Sequence, residues 1–230
     1  MKGKIFNNQE VQSILNGTKT MFREVIKPYP ILSDDKSYWE FKGVQWAGEN
    51  SFYAKNHGDN ARPEIPDLCP YQVGQKIFVK EKWGIGGRPD QFGGYKGFEY
   101  QADCFGDDED LPCYPIDYDK LPINIEIDDW IGKWEQARLM PQWASRITLE
   151  ITSIKVERLK DINKEDCLKE GIEKMWLQEN EDFPRYEIGK HSYFDPKKTF
   201  EDFWNATHKK QEEKWEANPF VWVVDFKINK

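Results

Sequence analysis

No stretch of this chain approaches the roughly 18 consecutive apolar residues that a membrane span requires, and residues 1–8 (MKGKIFNN) hold no signal-type apolar core. A cytoplasmic protein with no membrane partner is expected. Histidine and cysteine are scarce, at 3 and 4 residues of 230. His57, His191 and His208 are scattered, and Cys69, Cys104, Cys113 and Cys167 contain no Cys-x-x-Cys pair. The close ligand pairs of a structural zinc site are therefore missing, and free thiols without metal or cofactor are expected. The chain also lacks an internal repeat and a basic excess. Its net charge of −8 opposes indiscriminate binding to a phosphate backbone. A local anion site survives that argument, because remote charges are screened beyond a Debye length of about 8 Å at physiological salt.

What is present in abundance is flat and apolar. The chain is 38% hydrophobic, with 10 Trp, 10 Tyr and 14 Phe, enough for a core with rings left over to line a groove. The length allows one large or two small domains. The segment on which the rest is organised is residues 17–23, Gly-Thr-Lys-Thr-Met-Phe-Arg. Val11, Ile14 and Leu15 predict a helix before it, capped by Asn8 and ended at Gly17 in the left-handed conformation. The strand that follows would send Lys19, Met21 and Arg23 to one face and Thr20 and Phe22 to the other.

Further along, Trp39, Phe41, Trp46, Phe52 and Tyr53 among glycines predict a short hairpin within residues 31–64. Cys69, Pro70 and Tyr71 form a turn into a strand with Ile77, Val79 and Glu81 on one side and Phe78, Lys80 and Lys82 on the other. Glu81 is read as a rim residue in preference to a buried acid with a partner. Residues 84–139, opened by Gly84, Gly86 and Gly87 and carrying the acidic run 107–110, read as an insertion. Ile147, Leu149 and Ile151 alternate with Thr148, Glu150 and Thr152 in the clearest strand. Asn163 caps a short helix that Gly171 stops, leaving Glu170 at its C-terminal end, where the macrodipole disfavours a carboxylate by a few tenths of a kcal/mol. Residues 172–197 read as a second insertion. Thr199 is expected to cap a helix whose Phe200, Phe203, Trp204 and Thr207 face the core, and Trp222, Val224, Phe226 and Ile228 alternate in a closing strand.

These motifs in this order resemble the ASCH family of the PUA-like superfamily, and most closely its phage and prophage branch. The resemblance rests on Gly-x-Lys-Thr at 17–20, Cys-Pro-Tyr at 69–71, Val-x-Glu-x-Trp at 79–83, Trp-Ala-Ser-Arg-Ile at 143–147, Glu-Gly-Ile at 170–172 and Asn-Pro-Phe-Val-Trp-Val-Val at 218–224. It implies an α+β fold, a small β-barrel with flanking short helices, forming one domain over residues 1–230. The core would comprise residues 1–28, 67–84, 140–172 and 198–230, with insertions at 29–66, 85–139 and 173–197.

The resemblance further implies a cleft that takes RNA, single-stranded nucleic acid or a modified nucleoside, lined by Lys19, Arg23, Glu81, Trp83, Trp143, Ser145 and Arg146. Aromatic faces suit base stacking and a guanidinium suits a phosphate or base edge, while core packing is the competing role for both tryptophans. A binding module is the leading expectation. The alternative is an enzyme, either an amide hydrolase on N4-acylated cytidine or a ribonuclease. Lys19 and Glu170 would then be catalytic and Thr20 the nearest hydroxyl, because the family's threonine falls on Phe22, which has no oxygen to acylate. For RNA cleavage, Ser145 or a tyrosine would supply the hydroxyl. A structural or host-interaction role through the insertions, with a protein partner, is the third expectation.

Overall fold

The computed structural model describes residues 1–34, 39–41, 44–46, 69–88, 95–103, 114–116, 121, 133–177 and 180–229. Strand β1 (Lys2–Ile5) and helix α1 (Asn8–Leu15) lead into β2 (Met21–Val25). Three short strands follow, β3 (Ile31–Leu32), β4 (Trp39–Phe41) and β5 (Val44–Trp46). The middle of the chain supplies β6 (Lys76–Lys80), β7 (Trp83–Arg88), β8 (Tyr95–Tyr100), β9 (Tyr114–Pro115) and β10 (Trp134–Glu135). Then come β11 (Thr148–Arg158), α2 (Lys164–Lys169), β12 (Glu173–Leu177), β13 (Asn180–Ile188), β14 (His191–Tyr193), α3 (Pro196–Thr207) and β15 (Phe220–Ile228).

The chain divides into two compact units. The first comprises Met1–Gly17, Lys76–Glu150 and Ile228–Lys230. In it β6 pairs parallel with β1 and antiparallel with the start of β11. A separate antiparallel sheet runs β10-β7-β8-β9. The core of that sheet gathers Trp83, Ile85, Phe98, Tyr100, Ile116, Met140 and Ala144. Gly3 is required by close approach, since a side chain there would meet Phe78 and Lys80 of the neighbouring strand within 3 Å.

The second unit comprises Thr18–Gln75 and Ile151–Lys227. Here the rest of β11, then β15, then β2 lie in order, and Val223 of β15 stands opposite Arg23 of β2. The antiparallel meanders β3-β4-β5 and β12-β13-β14 complete it. Its core joins Met21, Val25, Leu159, Ile162, Tyr186, Phe200, Trp204 and Val221. Asn218 sits at φ 46°, a left-handed conformation that asparagine tolerates better than most side chains, and its Oδ1 accepts the Lys160 N–H at 2.8 Å. That gives a backbone reason for the Asn of the 218–224 motif.

The mixed α+β class holds, with strands outnumbering helices. Several expectations need correction. None of the four sheets closes on itself among the described residues, so the small barrel is not formed as expected. The first helix is capped by Asn7, not Asn8: the Asn7 side chain accepts the Glu10 N–H while Glu10 returns a bond to the Asn7 N–H, a reciprocal capping box. The cap of α3 is Asp195, with Pro196 opening the helix. Thr199 is fully buried, its hydroxyl on the carbonyls of Tyr186 and Asp195. Residues 173–193, within the stretch expected to be a second insertion and for which no strand was predicted, form the meander β12-β13-β14, whose second turn is a two-residue connection with Gly189 at φ 56°. The predicted hairpin appears as β4-β5, while Phe52 and Tyr53, His57, Cys104, Cys113 and the acidic run 107–110 lie outside the described residues.

Candidate functional site

In the second unit a network of charged side chains is assembled around Glu170. Helix α2 starts at Asn163, whose side chain accepts the Asp166 N–H, and ends at Glu170, with Gly171 at φ 97° turning the chain away. Lys19 forms an isolated antiparallel bridge with Glu170, and the Thr20 N–H donates to the Lys169 carbonyl at 2.9 Å. This backbone register carries the Lys19 ammonium to the helix end. Nζ donates to Glu170 Oε2 and to the Glu170 carbonyl oxygen, both at 2.8 Å. A cation on the last carbonyls offsets the macrodipole that makes the carboxylate awkward there.

Arg23, two pleats along β2 on the same face, reaches the other carboxylate oxygen. Its guanidinium donates to Glu170 Oε1 at 3.0 Å, Asp166 Oδ2 at 3.0 Å and Glu157 Oε2 at 3.3 Å, and touches the Met21 sulfur at 3.2 Å. Lys155 bridges Glu157 and Asp166 from the outside. Lys19 and Arg23 side chains have no exposed surface and that of Glu170 only 4%. Burial pulls the Arg23 guanidinium down, and the surrounding carboxylates outweigh it, leaving its pKa above the ordinary value. Nε of Arg23 meets no acceptor among the described residues. Cys167, on the same helix, has its thiol pushed up to about 12 by burial, which makes it a structural and unreactive group.

Thr20 and Phe22 point away from this network, as their alternation predicts. Phe22 is 2% exposed and packs edge-on against Tyr71 at 5.4 Å and at a 32° tilt against Phe226 at 6.0 Å. Tyr71 in turn donates to Glu24 at 2.8 Å, so the Cys-Pro-Tyr motif supports the apolar face of β2.

In the first unit a second network is centred on a cation. The Arg146 guanidinium grips Glu81 through Nε and one terminal nitrogen at 3.0 and 2.9 Å, and Asp103 through both terminal nitrogens at 2.7 and 2.9 Å. Its fifth N–H goes to the Tyr114 hydroxyl at 2.9 Å, which in turn donates a hydrogen bond to Asp103 at 2.9 Å. All five donors are engaged. The guanidinium also lies 4.1 Å from the Tyr100 ring centroid. Glu81 is 1% exposed, which overturns the rim reading: it is the buried acid with a partner. Burial raises the Glu81 pKa, and the Arg146 contacts only partly oppose this.

The neighbouring motif residues are tied together in the same way. Ser145 donates its hydroxyl proton to the Val79 carbonyl at 2.7 Å, and the Val79 N–H donates to the Ile147 carbonyl at 3.0 Å. Trp83 has no exposed surface and meets Trp143 edge-on at 5.6 Å. The motifs 79–83 and 143–147 thus fasten to each other residue by residue. Nothing in the sequence marked Asp103, Tyr100 or Tyr114 as the holders of Arg146, since they lie in what reads as an insertion. Nor did anything in the sequence mark Asp166 and Glu157 as the holders of Arg23.

The residues expected to line one cleft therefore form two internally bonded groups: Lys19 and Arg23 with Glu170 in one unit, and Glu81, Trp83, Trp143, Ser145 and Arg146 in the other. Among the described residues no group of three or more His, Cys, Asp or Glu side chains is arranged to hold a metal ion. No helix among them is long and apolar enough to cross a membrane. Comparison of the chain with family models, curated proteins and solved structures finds no match.

Proposed function

We propose that the protein is a PUA-like protein of the ASCH type that binds a nucleobase, free or in single-stranded RNA, through Lys19, Arg23 and Glu170. The observation that carries this reading is the sharing of one buried carboxylate between an ammonium and a guanidinium at 2.8 and 3.0 Å. Such an array sets an acceptor beside two donors. A cytosine edge needs the same arrangement in complement: its N4 amino group donates to a carboxylate, while N3 and O2 accept. Uracil presents O4 in place of the amino group and would confront Glu170 with a second acceptor. The lysine and the glutamate also occupy the positions that the family resemblance marks.

A second reading has one specific observation in its favour, the direct Lys19–Glu170 contact. In amide hydrolysis of N4-acylated cytidine, Glu170 would take a proton from a water as it adds to the acyl carbonyl. The proton would return to N4 as the N4–C bond breaks, releasing cytidine and a carboxylic acid. Water takes the nucleophile's place because Phe22 bears no hydroxyl.

Calorimetry with cytidine, N4-acetylcytidine and uridine, with chromatography of the mixtures, tests both readings. Binding of cytidine in preference to uridine, weakened at least tenfold by Glu170→Gln, is the expected result. Release of cytidine from N4-acetylcytidine that disappears in Lys19→Ala would replace the binding module by the hydrolase. Absence of heat and turnover with every nucleoside and with single-stranded RNA would remove both.

A further inference from the structure

The end of α3 and the loop after it hold a cluster that neither polar network uses. His208 closes the helix: its backbone N–H donates to the Trp204 carbonyl at 2.9 Å. Its imidazole lies flat on the Trp204 indole, with ring centroids 3.8 Å apart and planes 12° from parallel. Nδ1 is 3.1 Å from the same Trp204 carbonyl. A carbonyl oxygen only accepts, so Nδ1 carries a hydrogen and a second proton is taken up at Nε2. Trp204 also fastens the loop. Its Nε1 donates to the Glu213 carbonyl at 2.7 Å, and the Asn205 side chain accepts the Trp215 N–H at 2.9 Å. The Glu213 carboxylate, 7% exposed, accepts from the Tyr29 hydroxyl at 2.8 Å and from Lys27 Nζ at 2.7 Å.

Three features of this place favour a charged imidazole. The last carbonyls of the helix form the negative end of its dipole. The indole face attracts a cation laid over it. The Glu213 carboxylate lies within electrostatic reach of His208: burial raises its pKa, but the bonds from Lys27 and Tyr29 and the charges of Lys27 and His208 outweigh that and leave it below the ordinary 4.5. The opposing charges are mostly solvated. Lys27, on the segment after β2, has a side chain 56% exposed, and Lys209 and Lys210, which follow His208, are exposed, as is the acid Glu212. Lys214 is half-buried. On α3 itself Lys198 is paired with Glu201 and Asp202. His208 is half-buried, so it escapes the full desolvation that would oppose its charge.

We infer that His208 is a proton-operated latch: its imidazolium closes the loop 208–217 onto the end of α3, and loss of the proton loosens it. The closed loop covers Trp215, which is 6% exposed, and holds Tyr29 through Glu213, so loosening uncovers an indole and frees the segment after β2. The direction follows from linkage. A proton held more tightly in the closed state adds stability that is fully present below the ordinary histidine value of about 6.5 and is lost as pH rises through the higher value of the closed state. The latch is independent of the nucleobase reading at Glu170.

The test is NMR of the full chain in steps from acid to mildly alkaline pH. Histidine-selective spectra read the proton, with the His208 signal assigned by its absence from His208→Gln. Exchange of the Trp204 indole N–H with solvent, expressed as protection relative to a free indole at the same pH, reads the loop. His208 should bind its proton about threefold or more tighter than a free histidine, and Trp204 protection should fall by the same factor as that proton is lost. In His208→Gln, a change at a half-buried position, the pH dependence of Trp204 protection should vanish. The inference is overturned if His208 binds its proton no tighter than a free histidine. It is equally overturned if Trp204 protection changes with pH in the same way in His208→Gln as in wild type.

Discussion

The two buried polar networks are inversions of one another. In the second unit an acid, Glu170, is the hub and two cations converge on it; in the first unit a cation, Arg146, is the hub and two acids converge on it. The Arg146 hub is saturated, every N–H engaged and both flanking carboxylates gripped through two bonds each, so it fixes β6, the loop before β11 and the segment after β8 in one arrangement. The Glu170 hub is built at a helix end with the Arg23 Nε left over. A saturated hub fastens a fold. A hub with a spare donor and a shared carboxylate can exchange an internal partner for a ligand, which is why the functional proposal rests on Glu170 and not on the motif residues around Arg146.

Removal of each hub should separate these roles. Arg146→Met leaves Glu81 and Asp103 facing each other without a cation, and the loss of a partner from a buried ion pair costs about 3–5 kcal/mol. A large drop in the urea midpoint is expected, with cytidine binding at Glu170 preserved under conditions where the variant is folded. Glu170→Gln keeps the side chain's size and one acceptor oxygen, and should cost about 2–3 kcal/mol by weakening charge-assisted hydrogen bonds, while abolishing most ligand affinity. If instead the Arg146 variant loses the ligand and the Glu170 variant keeps it, the roles assigned to the two hubs are reversed.

A gentler probe uses pH. The folded pKa of Glu81 is raised by burial above its ordinary 4.5, so within that window the folded state holds a proton that the unfolded chain has released. Stability from this group is therefore present at low pH and falls as pH climbs from about 4.5 through the raised value. Urea midpoints measured from pH 4 to 7 should decline less steeply in Glu81→Gln than in wild type; identical slopes would remove Glu81 as the source. The smallest expected effect concerns Cys167. With its thiol at about 12 and no exposed surface, it should resist alkylation at pH 8 in the native protein and react once unfolded, as mapped by peptide mass spectrometry.

Local order was legible from the residues wherever a pattern and its cause lie within a few positions of each other. The alternation of Lys19, Met21 and Arg23 against Thr20 and Phe22, the Asn163 cap, the Gly17 and Gly171 stops and the β11 period all appear as expected. The capping of α1 was misplaced by one residue because Asn7 and Asn8 are equivalent by type, and only the reciprocal bond to Glu10 tells them apart. The meander at 173–193 was missed because its strands are polar and its turn residue, Gly189, is followed by lysine instead of a second turn former. Glu81 was misjudged because a carboxylate ending an apolar strand reads the same whether it meets water or a guanidinium 65 residues away.

Sequence alone determined the α+β character, the strand and helix periods and the identity of the charged residues of the first motif. Tertiary structure alone decided which charge meets which: that Lys19 and Arg23 share Glu170, that Arg146 is enclosed by Glu81 and Asp103, and that Trp83 is wholly covered while Trp134 is not. The reason is range. Backbone periodicity is set by neighbours along the chain, whereas the burial of a charge depends on a partner brought in by folding, and no local pattern encodes that partner's address.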